Sequence, residues 1–321
     1  MKRFDARTLA LPTLFAVALF ACVHVVRAEK PLFPKITGDA WQIAGNPDLG
    51  GFTDAKQEVA SFTLWPATNG AWQLWATVRK TRIGGQGNLL HCWEGATPTA
   101  RDWKPLGVSL LAEPRFGELP GGLQSPFVVR DGARFTMFYG DGRHIASATG
   151  EDGKTFARRI LPGPSTGLFD EGPKGNARDP MVLRIGGKWH CYYTAHPTRR
   201  GTVFCRTSEN LITWSESRVV ATGGQSGAGP QSAEHPFVVE PQPGHFYLFR
   251  TQRLGADAQT SVYHSRDPFD FGINDDTGHF LGTLPLAAPE LILLNKQWFI
   301  ASLLPTLKGI RVARLEWAAK E

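Results

Sequence analysis

SPFVVRDGARFTMFYGD, residues 125–141, is one of five copies of a short pattern that recurs along the chain. Each copy starts with a small or polar residue, usually followed by proline, and runs through a hydrophobic stretch and a turn into an aromatic strand. The other copies are SFTLWPATNGAWQLWATV (61–78), DPMVLRIGGKWHCYYTA (179–195), HPFVVEPQPGHFYLFRT (235–251) and APELILLNKQWFIAS (288–302). The copies begin 64, 54, 56 and 53 residues apart, and a repeat of this length is typical of repeat architectures.

Each unit has a second half with the same organisation, in which a turn is followed by further short strands, as at Asp152-Gly153. The apolar residues alternate with a period near two, and no convincing amphipathic helix occurs. About four antiparallel strands per unit and five units predict an all-β fold, a five-bladed β-propeller occupying residues 29–321 as one domain. A β-sandwich or barrel is the alternative, but neither explains the repeat.

The first 28 residues have the organisation of a secretory signal peptide. A basic start is followed by an apolar stretch from Leu9 to Val26, and Val26-Arg27-Ala28 offers a small-residue cleavage site. The predicted location is therefore secreted or periplasmic. An uncleaved anchor and a lipoprotein processed before Cys22 are the alternatives. No later segment is apolar enough to predict a membrane span.

Charge and cysteine content argue against several classes of function. The net charge of +6 includes about +3 from the leader, and the remaining Lys and Arg residues are interleaved with acids, so a nucleic-acid partner has no support. Three cysteines follow the leader, Cys92, Cys191 and Cys205, and this odd number argues against a full disulfide framework. Cys191 and Cys205 fall in neighbouring predicted strands and could touch, but buried free thiols are the simpler interpretation. The absence of CxxC and HExxH spacings argues against a zinc site.

In a propeller the innermost strands start at the central axis, so the residues that open the five copies should meet in one funnel. Asp179 and Glu234 stand at nearly equivalent positions in adjacent units. Glycoside hydrolysis needs a carboxylic acid to protonate the leaving oxygen and a carboxylate to act as nucleophile or base. The two positions therefore predict an enzyme that acts on carbohydrate, although Asp179-Pro180 could also be only a turn at a strand start.

The motifs around these carboxylates resemble those of the five-bladed propeller glycosidases of families 43, 32, 68 and 117. Asn176-Ala177-Arg178-Asp179-Pro180 is similar to their Arg-Asp-Pro motif, and Glu234-His235-Pro236 resembles the Glu-Cys-Pro motif of family 32. The resemblance implies that Asp179 stabilises the transition state, that Glu234 is the general acid, and that Arg178 binds sugar hydroxyls or tunes Asp179. It also implies a carbohydrate substrate; no cofactor is predicted, although related propellers sometimes hold an axial calcium ion.

The sequence departs from these families at the start of the first innermost strand. The families place a catalytic aspartate there, whereas this chain has Ala60 and Ser61. Glu58 is the nearest candidate for the missing nucleophile or base, followed by Asp54. If neither reaches the funnel, the alternative is a non-catalytic carbohydrate-binding or scaffold propeller, or an enzyme whose base is His235 or Glu290.

The remaining candidates are polar residues at the other strand starts. Gln124, Ser125, His235 and Glu290 are predicted to contact substrate, together with Arg178. Each has a structural alternative: Gln124 and Ser125 could satisfy backbone groups, His235 could be a packed histidine, and Glu290 could face the neighbouring strand.

Overall fold

The computed structural model describes residues 30–163 and 165–319. The residues from Pro31 onward form one compact unit. The predicted signal peptide lies outside the described residues, so its cleavage stays a prediction. Among the residues described, no helix is long and apolar enough to cross a membrane.

β-Strands are the main regular structure of the described residues, and four short 3-10 helices occur at Gly50–Phe52, Pro114–Phe116, Gly224–Ser226 and Gly255–Asp257. The strands are β1 (Leu32–Gly45), β2 (Glu58–Pro66), β3 (Trp72–Arg79), β4 (Leu89–Gly95), β5 (Lys104–Leu110), β6 (Gln124–Asp131), β7 (Arg134–Gly140), β8 (Ile145–Gly150), β9 (Ala157–Arg158), β10 (Gly167–Phe169), β11 (Arg178–Ile185), β12 (Lys188–Ala195), β13 (Thr202–Ser208), β14 (Arg218–Gly223), β15 (Glu234–Gln242), β16 (His245–Arg253), β17 (Gln259–Ser265), β18 (Ile273–Asn274), β19 (Phe280–Leu284), β20 (Glu290–Leu294), β21 (Gln297–Leu303) and β22 (Gly309–Ala319).

These strands form five sheets, which confirms the predicted five-bladed propeller. Blade 1 is β2-β3-β4-β5, blade 2 is β6-β7-β8 with β9 and β10 both on β8, and blade 3 is β11-β12-β13-β14. Blade 4 is β15-β16-β17-β19, and β18 leaves it to pair in parallel with β14 of blade 3. Blade 5 is β20-β21-β22-β1, so the first strand of the chain completes the last blade by pairing antiparallel with β22.

Successive buried side chains of a strand point to opposite faces of its blade, so each blade packs against both of its neighbours. In β12, Tyr192 is buried in the cluster shared with blade 4, whereas Tyr193 is buried in the cluster shared with blade 2. The same holds in β16, where Leu248 contacts the blade 3 side and Phe249 contacts the blade 5 side. Successive side chains point to opposite faces of a strand, so one aromatic strand supplies two interfaces. Five such clusters, one between each pair of adjacent blades, close the ring.

The three cysteines of the folded domain are free and buried, in agreement with the simpler sequence interpretation. Cys191 and Cys205 do lie on neighbouring strands, but their side chains belong to different interblade clusters. They therefore point to opposite faces of blade 3 and act as small hydrophobic residues.

A bulge with a left-handed residue opens the innermost strands. Ser125, Asp179, His235 and Ala288 each precede a proline and have φ values of 53, 55, 48 and 50 degrees. The strand pairing of blades 2, 3 and 4 shifts register at the same place, as an extra residue requires. Such φ values are uncommon for residues other than glycine, so their repetition marks a position that the fold imposes. Blade 1 differs, because its register shift lies between Val59 and Ser61 and no positive φ occurs there.

Below the bulges the propeller axis is a narrow channel of about 30 Å³ lined largely by apolar residues, among them Phe127, Met181 and Phe237. Glu290 follows its bulge by two residues and also lines this channel, where it is 8% exposed. Its Oε2 accepts a hydrogen bond from the Leu64 backbone N–H at 3.1 Å. Burial raises the pKa of Glu290 to about 8, against smaller lowering effects of the Leu64 N–H and Thr63. Glu290 thus lines the channel rather than the funnel, and its bond to Leu64 of β2 fits the alternative in which it faces the neighbouring strand.

We expect Glu290 to make the protein less stable as pH rises. Its pKa is about 8 in the folded state against 4.5 ordinarily, so between these values the folded chain holds a proton that the unfolded chain has lost. The free energy of unfolding should therefore fall from pH 4.5 to 8, by a total on the order of 3–5 kcal/mol. Urea unfolding from pH 5 to 9 should show this decline in the wild type and a flatter profile in Glu290→Gln.

The exposed Glu316 on β22 supplies the control for this experiment. Glu316→Gln should keep the wild-type pH dependence. Parallel profiles for the wild type and Glu290→Gln would contradict the assignment.

Candidate functional site

A polar cavity of about 550 Å³ opens above the bulges, at the end of the axis where the innermost strands begin. Six predicted site residues line it together: Gln124, Ser125, Arg178, Asp179, Glu234 and His235. Ser61, Ser125, Asp179 and His235 line both this cavity and the channel below it. These residues therefore form the boundary between the two spaces.

Asp179 is a buried carboxylate with both oxygens engaged. The Ser125 hydroxyl donates to Oδ1, and the backbone N–H of His235 donates to Oδ2 at 2.9 Å. Nε2 of His235 lies 3.8 Å from Oδ1, and Nε of Arg178 lies 4.0 Å from Oδ2. Burial on its own would raise the pKa of Asp179, but the neighbouring His235 and Arg178 side chains and these hydrogen bonds lower it below the usual value. Asp179 is consequently a fixed negative charge on the floor of the cavity.

Arg178 uses all five of its N–H groups within the protein. Nε and Nη2 donate to the two oxygens of Glu234, the first at 3.0 Å, and Nη2 also donates to the Pro230 carbonyl at 3.4 Å. Nη1 donates to the Asn176 carbonyl and to Nδ1 of His196, both at 3.0 Å. A guanidinium has five N–H donors, so none is left for a sugar hydroxyl. Of its two implied roles, tuning its carboxylate neighbours is the one this geometry supports.

Glu234 is adjacent to Asp179 rather than opposite it. Its carboxylate is held bidentately by Arg178, and its side chain is 14% exposed to the cavity. Single ligand atoms of Asp179, Glu234 and His235 lie within 4.8 Å of one another. Carboxylates that act on opposite faces of a sugar are separated by about 5–5.5 Å or about 6.5–9.5 Å. A side-by-side pair fits an acid and a stabiliser better than an acid and a base.

The three clustered ligand atoms do not suit a calcium ion. Calcium takes six to eight oxygen ligands, whereas this cluster combines an imidazole nitrogen with two carboxylates. The Arg178 guanidinium already neutralises Glu234 and lies 4.0 Å from Asp179. A cation would have to displace it, so these three residues do not fit a metal ion.

The first blade contributes no carboxylate to the cavity lining. Ala60 and Ser61 line the cavity, but the Ser61 hydroxyl donates to Oγ1 of Thr77 at 2.8 Å and accepts from Ser125 N at 3.1 Å. Its role is to join blade 1 to blade 2 at the bulge. Oγ1 of Thr77 also accepts from Ser125 N, at 2.7 Å, which strengthens this junction.

Glu58 does not reach the cavity lining, contrary to the expectation for a base. The pairing of β2 with β3 places it opposite Arg79, whose Nη2 lies 2.8 Å from the carboxylate, and Lys80 Nζ lies 2.6 Å away. Burial tends to raise the pKa of Glu58, but Lys80 and Arg79 lower it overall. Asp54 is likewise paired with Arg82, at 3.3 Å. Arg79, rather than either acid, lines the cavity.

His196 lines the cavity and was missed by the sequence analysis. Its Nδ1 accepts from Arg178, so the ring proton sits on Nε2. Burial and the nearby Arg178 charge lower the pKa of His196, which favours the neutral ring. The only available signal was its place directly after the aromatic strand β12, which pairs with the strand carrying Asp179.

A glycine gives Gln124 its place in the cavity. Gln124 pairs with Gly140, whereas the corresponding partners in blades 3 and 4 are Thr194 and Thr251. A Cβ at Gly140 would lie 3.0 Å from Cγ of Gln124, which is tighter than an ordinary contact. Gly140 therefore leaves room for a side chain that the threonines would crowd.

Neither a protein-family profile nor a curated protein matches this sequence, whereas solved structures do match it. An endo-arabinase from Bacteroides thetaiotaomicron superposes with a TM-score of 0.61 at 10% identity, over 82% of this chain and 94% of that one. A family 43 enzyme from Xanthomonas citri in complex with xylose gives 0.58 at 16% identity, over 87% and 93%. A family 32 β-fructofuranosidase variant from Bombyx mori in complex with sucrose gives 0.59 at 14% identity, over 86% and 62%. The chain thus has the five-bladed propeller fold of family 43 and family 32 glycoside hydrolases.

Proposed function

We propose that this protein is a glycoside hydrolase whose cavity binds an oligo- or polysaccharide, with Glu234 as general acid and Asp179 as transition-state stabiliser. The observation that carries the proposal is that Asp179 and Glu234 lie side by side on the floor of a polar axial cavity. They flank Arg178, whose N–H groups are all hydrogen-bonded within the protein. The solved structures with this fold include enzymes bound to xylose, xylotriose and sucrose, which supports a carbohydrate ligand here.

The environment of Asp179 suits the stabilising role. Cleavage of a glycosidic bond develops positive charge on the sugar ring. A carboxylate that stays ionised and is held by two hydrogen bonds stabilises this charge without reorganising during the reaction. The lowered pKa of Asp179 makes it a poor proton donor and hence supports this division of roles.

The environment of Glu234 adds a condition to the acid role. A carboxylate bound bidentately by a guanidinium has no proton to donate. We infer that substrate binding must loosen the Arg178 pair so that Glu234 can take up a proton and transfer it to the leaving oxygen. Arg178 keeps its contacts to Asn176 and His196 during such a change, so the guanidinium can remain in place.

A non-catalytic carbohydrate-binding propeller is the second candidate function. The observation that favours it is that Asp179 and Glu234 are the only carboxylates among the described residues lining the cavity. Neither imidazole replaces the missing base readily, because Nδ1 of His196 is engaged by Arg178 and Nδ1 of His235 is buried. Under this candidate the cavity binds saccharide and does not cleave it.

We also propose that the protein is exported, because residues 1–28 have the organisation of a cleavable signal. N-terminal sequencing of protein recovered from the periplasm or culture medium should begin at Glu29. An intact amino terminus, or a lipid-modified Cys22, would contradict cleavage after Ala28.

Substitution of either carboxylate should strongly slow hydrolysis. A screen of arabino-, xylo-, galacto- and fructo-oligosaccharides should find one class that the wild type cleaves. Glu234→Gln should lower kcat on it by about 10²–10⁴-fold, through loss of the proton donor. Asp179→Asn should lower kcat by about 10²–10³-fold, through loss of the stabilising charge.

Glu216, an exposed acid outside the cavity, supplies the control for the carboxylate substitutions. Glu216→Gln should retain wild-type activity. Equal activity of the wild type and Glu234→Gln would rule out the acid assignment, and binding without cleavage by the wild type would favour the second candidate.

Ala60→Asp tests whether the missing first-blade carboxylate limits the reaction. Ala60 lines the cavity, so the new carboxylate would enter it from blade 1. A positioned base contributes about 10²–10⁴-fold, and we expect even an imperfectly placed one to raise kcat at least about tenfold. Ala60→Asn is the uncharged control and should not raise kcat. Equal rates for Ala60→Asp and Ala60→Asn would show that a carboxylate at this position does not limit the rate.

A further inference from the structure

A second cavity of about 460 Å³ lies between blades 2 and 3, and it shares no lining residue with the axial cavity. We call it the interblade groove. Its blade 2 wall follows strand alternation: Thr136 of β7 pairs with Thr149 of β8, and Ser147 lies two residues from Thr149 on the same face. Arg134 lies two residues before Thr136, and the backbone N–H of Arg159 donates to the Ser147 carbonyl at 2.9 Å. Two arginines and three hydroxyls are therefore directed to one space.

The two arginines of the groove have no acidic partner among the described residues. Neither Arg134 nor Arg159 forms a salt bridge there. Arg158, the residue before Arg159, is by contrast paired with Glu118. Asp131 also lines the groove, but its carboxylate is shared with Nη1 of Arg184 at 3.9 Å. The groove consequently carries excess positive charge, which favours an anionic ligand.

The remaining polar groups of the groove include further hydrogen-bond donors. Oδ1 of Asn210 accepts the backbone N–H groups of Ile212 and Thr213, both at 2.9 Å, so Asn210 offers its amide NH₂. The Ser147 side chain is 1% exposed, and its hydroxyl has no hydrogen-bond partner. A buried hydroxyl left unsatisfied is destabilising, and a ligand oxygen that reached it would supply the missing hydrogen bond.

The blade 3 wall of the groove is apolar. Leu211 adopts a left-handed conformation with φ of 60 degrees, held by the Ser208 hydroxyl, which accepts its N–H at 2.9 Å. This turn presents Ile212, which is 47% exposed, at the groove. One wall can therefore contact an apolar surface while the other binds an anion. A sugar acid has both features, since its ring carries a C–H face and its carboxylate is a bidentate acceptor.

We propose that the interblade groove binds the carboxylate of an acidic saccharide, a uronic acid residue, through Arg134 and Arg159. That the groove binds an anion follows from the two arginines alone. That the anion belongs to a saccharide rests on the proposed function of the axial cavity. In this arrangement the guanidinium groups bind the carboxylate, the Ser147 hydroxyl binds a further ligand oxygen, and Ile212 packs on the ring.

Ligand-observed NMR at low ionic strength tests the proposal with three probes, glucuronic acid, glucose and inorganic sulfate. Glucuronic acid should bind at least about tenfold more tightly than glucose, because glucose has no carboxylate to accept charged hydrogen bonds from the two arginines. Arg134→Gln/Arg159→Gln should weaken glucuronic acid binding at least about tenfold. Ser147→Ala should weaken it by about two- to tenfold, as expected for one neutral hydrogen bond.

Two exposed arginines on blades 4 and 5, outside the groove, supply the charge-matched control. Arg266→Gln/Arg314→Gln should bind glucuronic acid as the wild type does. Unchanged binding in Arg134→Gln/Arg159→Gln would overturn the groove assignment. Sulfate binding as tight as that of glucuronic acid would overturn the saccharide part and leave an inorganic anion site.

Failure of the groove and failure of the proposed function can be distinguished. Glu234→Gln should bind glucuronic acid normally whether or not the axial cavity is catalytic, because the two cavities share no residue. Groove binding without any oligosaccharide hydrolysis by the wild type would overturn the hydrolase proposal alone.

Discussion

The left-handed residue before proline at the start of four innermost strands is the constraint on which the candidate site depends. Such a conformation costs on the order of 1–3 kcal/mol at each non-glycine residue and persists only where the surroundings impose it. Here five interblade clusters and hydrogen bonds such as Ala288 N to Thr251 Oγ1, at 3.1 Å, fix the strands on either side. The bulge places Ser125, Asp179 and His235 at the boundary of cavity and channel, so the polar floor of the cavity is a direct product of backbone geometry.

A buried cation then organises the charges on that floor. Arg178 is 6% exposed, and a buried guanidinium is tolerated only when its donors are satisfied. Two of its five bonds go to Glu234 and the others to Asn176, His196 and Pro230, so one side chain connects blade 3 to the loop before blade 4. Removing one partner of such a buried pair costs about 3–5 kcal/mol, because the remaining charge is left uncompensated. Chemistry at Glu234 is therefore tied to the position of Arg178.

The repeat predicted the blades, their number and the convergence of Asp179, Glu234, Arg178 and Gln124, because aromatic alternation and the proline after the bulge are visible in sequence. It did not predict how the start of the first blade aligns with the starts of the others. Ser61 pairs with Thr77 as Glu234 pairs with Thr251, and both threonine hydroxyls accept the backbone N–H that opens the next bulge. Ser61 thus corresponds to Glu234 rather than to His235, and the extra residue of blade 1, Ala60, comes before this position rather than after it. A one-residue difference in register reverses side-chain direction, which is why Glu58 meets Arg79 and why its position could not be predicted from the repeat. His196 was missed for a related reason, since only tertiary contact with Arg178 distinguishes it from any histidine after a strand.

The protonation state of Glu290 in the channel affects the charge of Asp179 at the end of the channel. Ionised carboxylates close together raise each other's pKa, so a charged Glu290 in the channel that Asp179 also lines would oppose the ionised state of Asp179. Burial instead raises the pKa of Glu290 to about 8, which keeps the lower carboxyl neutral near pH 7. Phe127, Met181 and Phe237 line the same channel, and they make most of its wall apolar. The apolar lining of the channel thus allows Glu290 to be neutral while Asp179, on the same axis, is ionised. The negative charge therefore lies at the end of the channel that opens into the cavity.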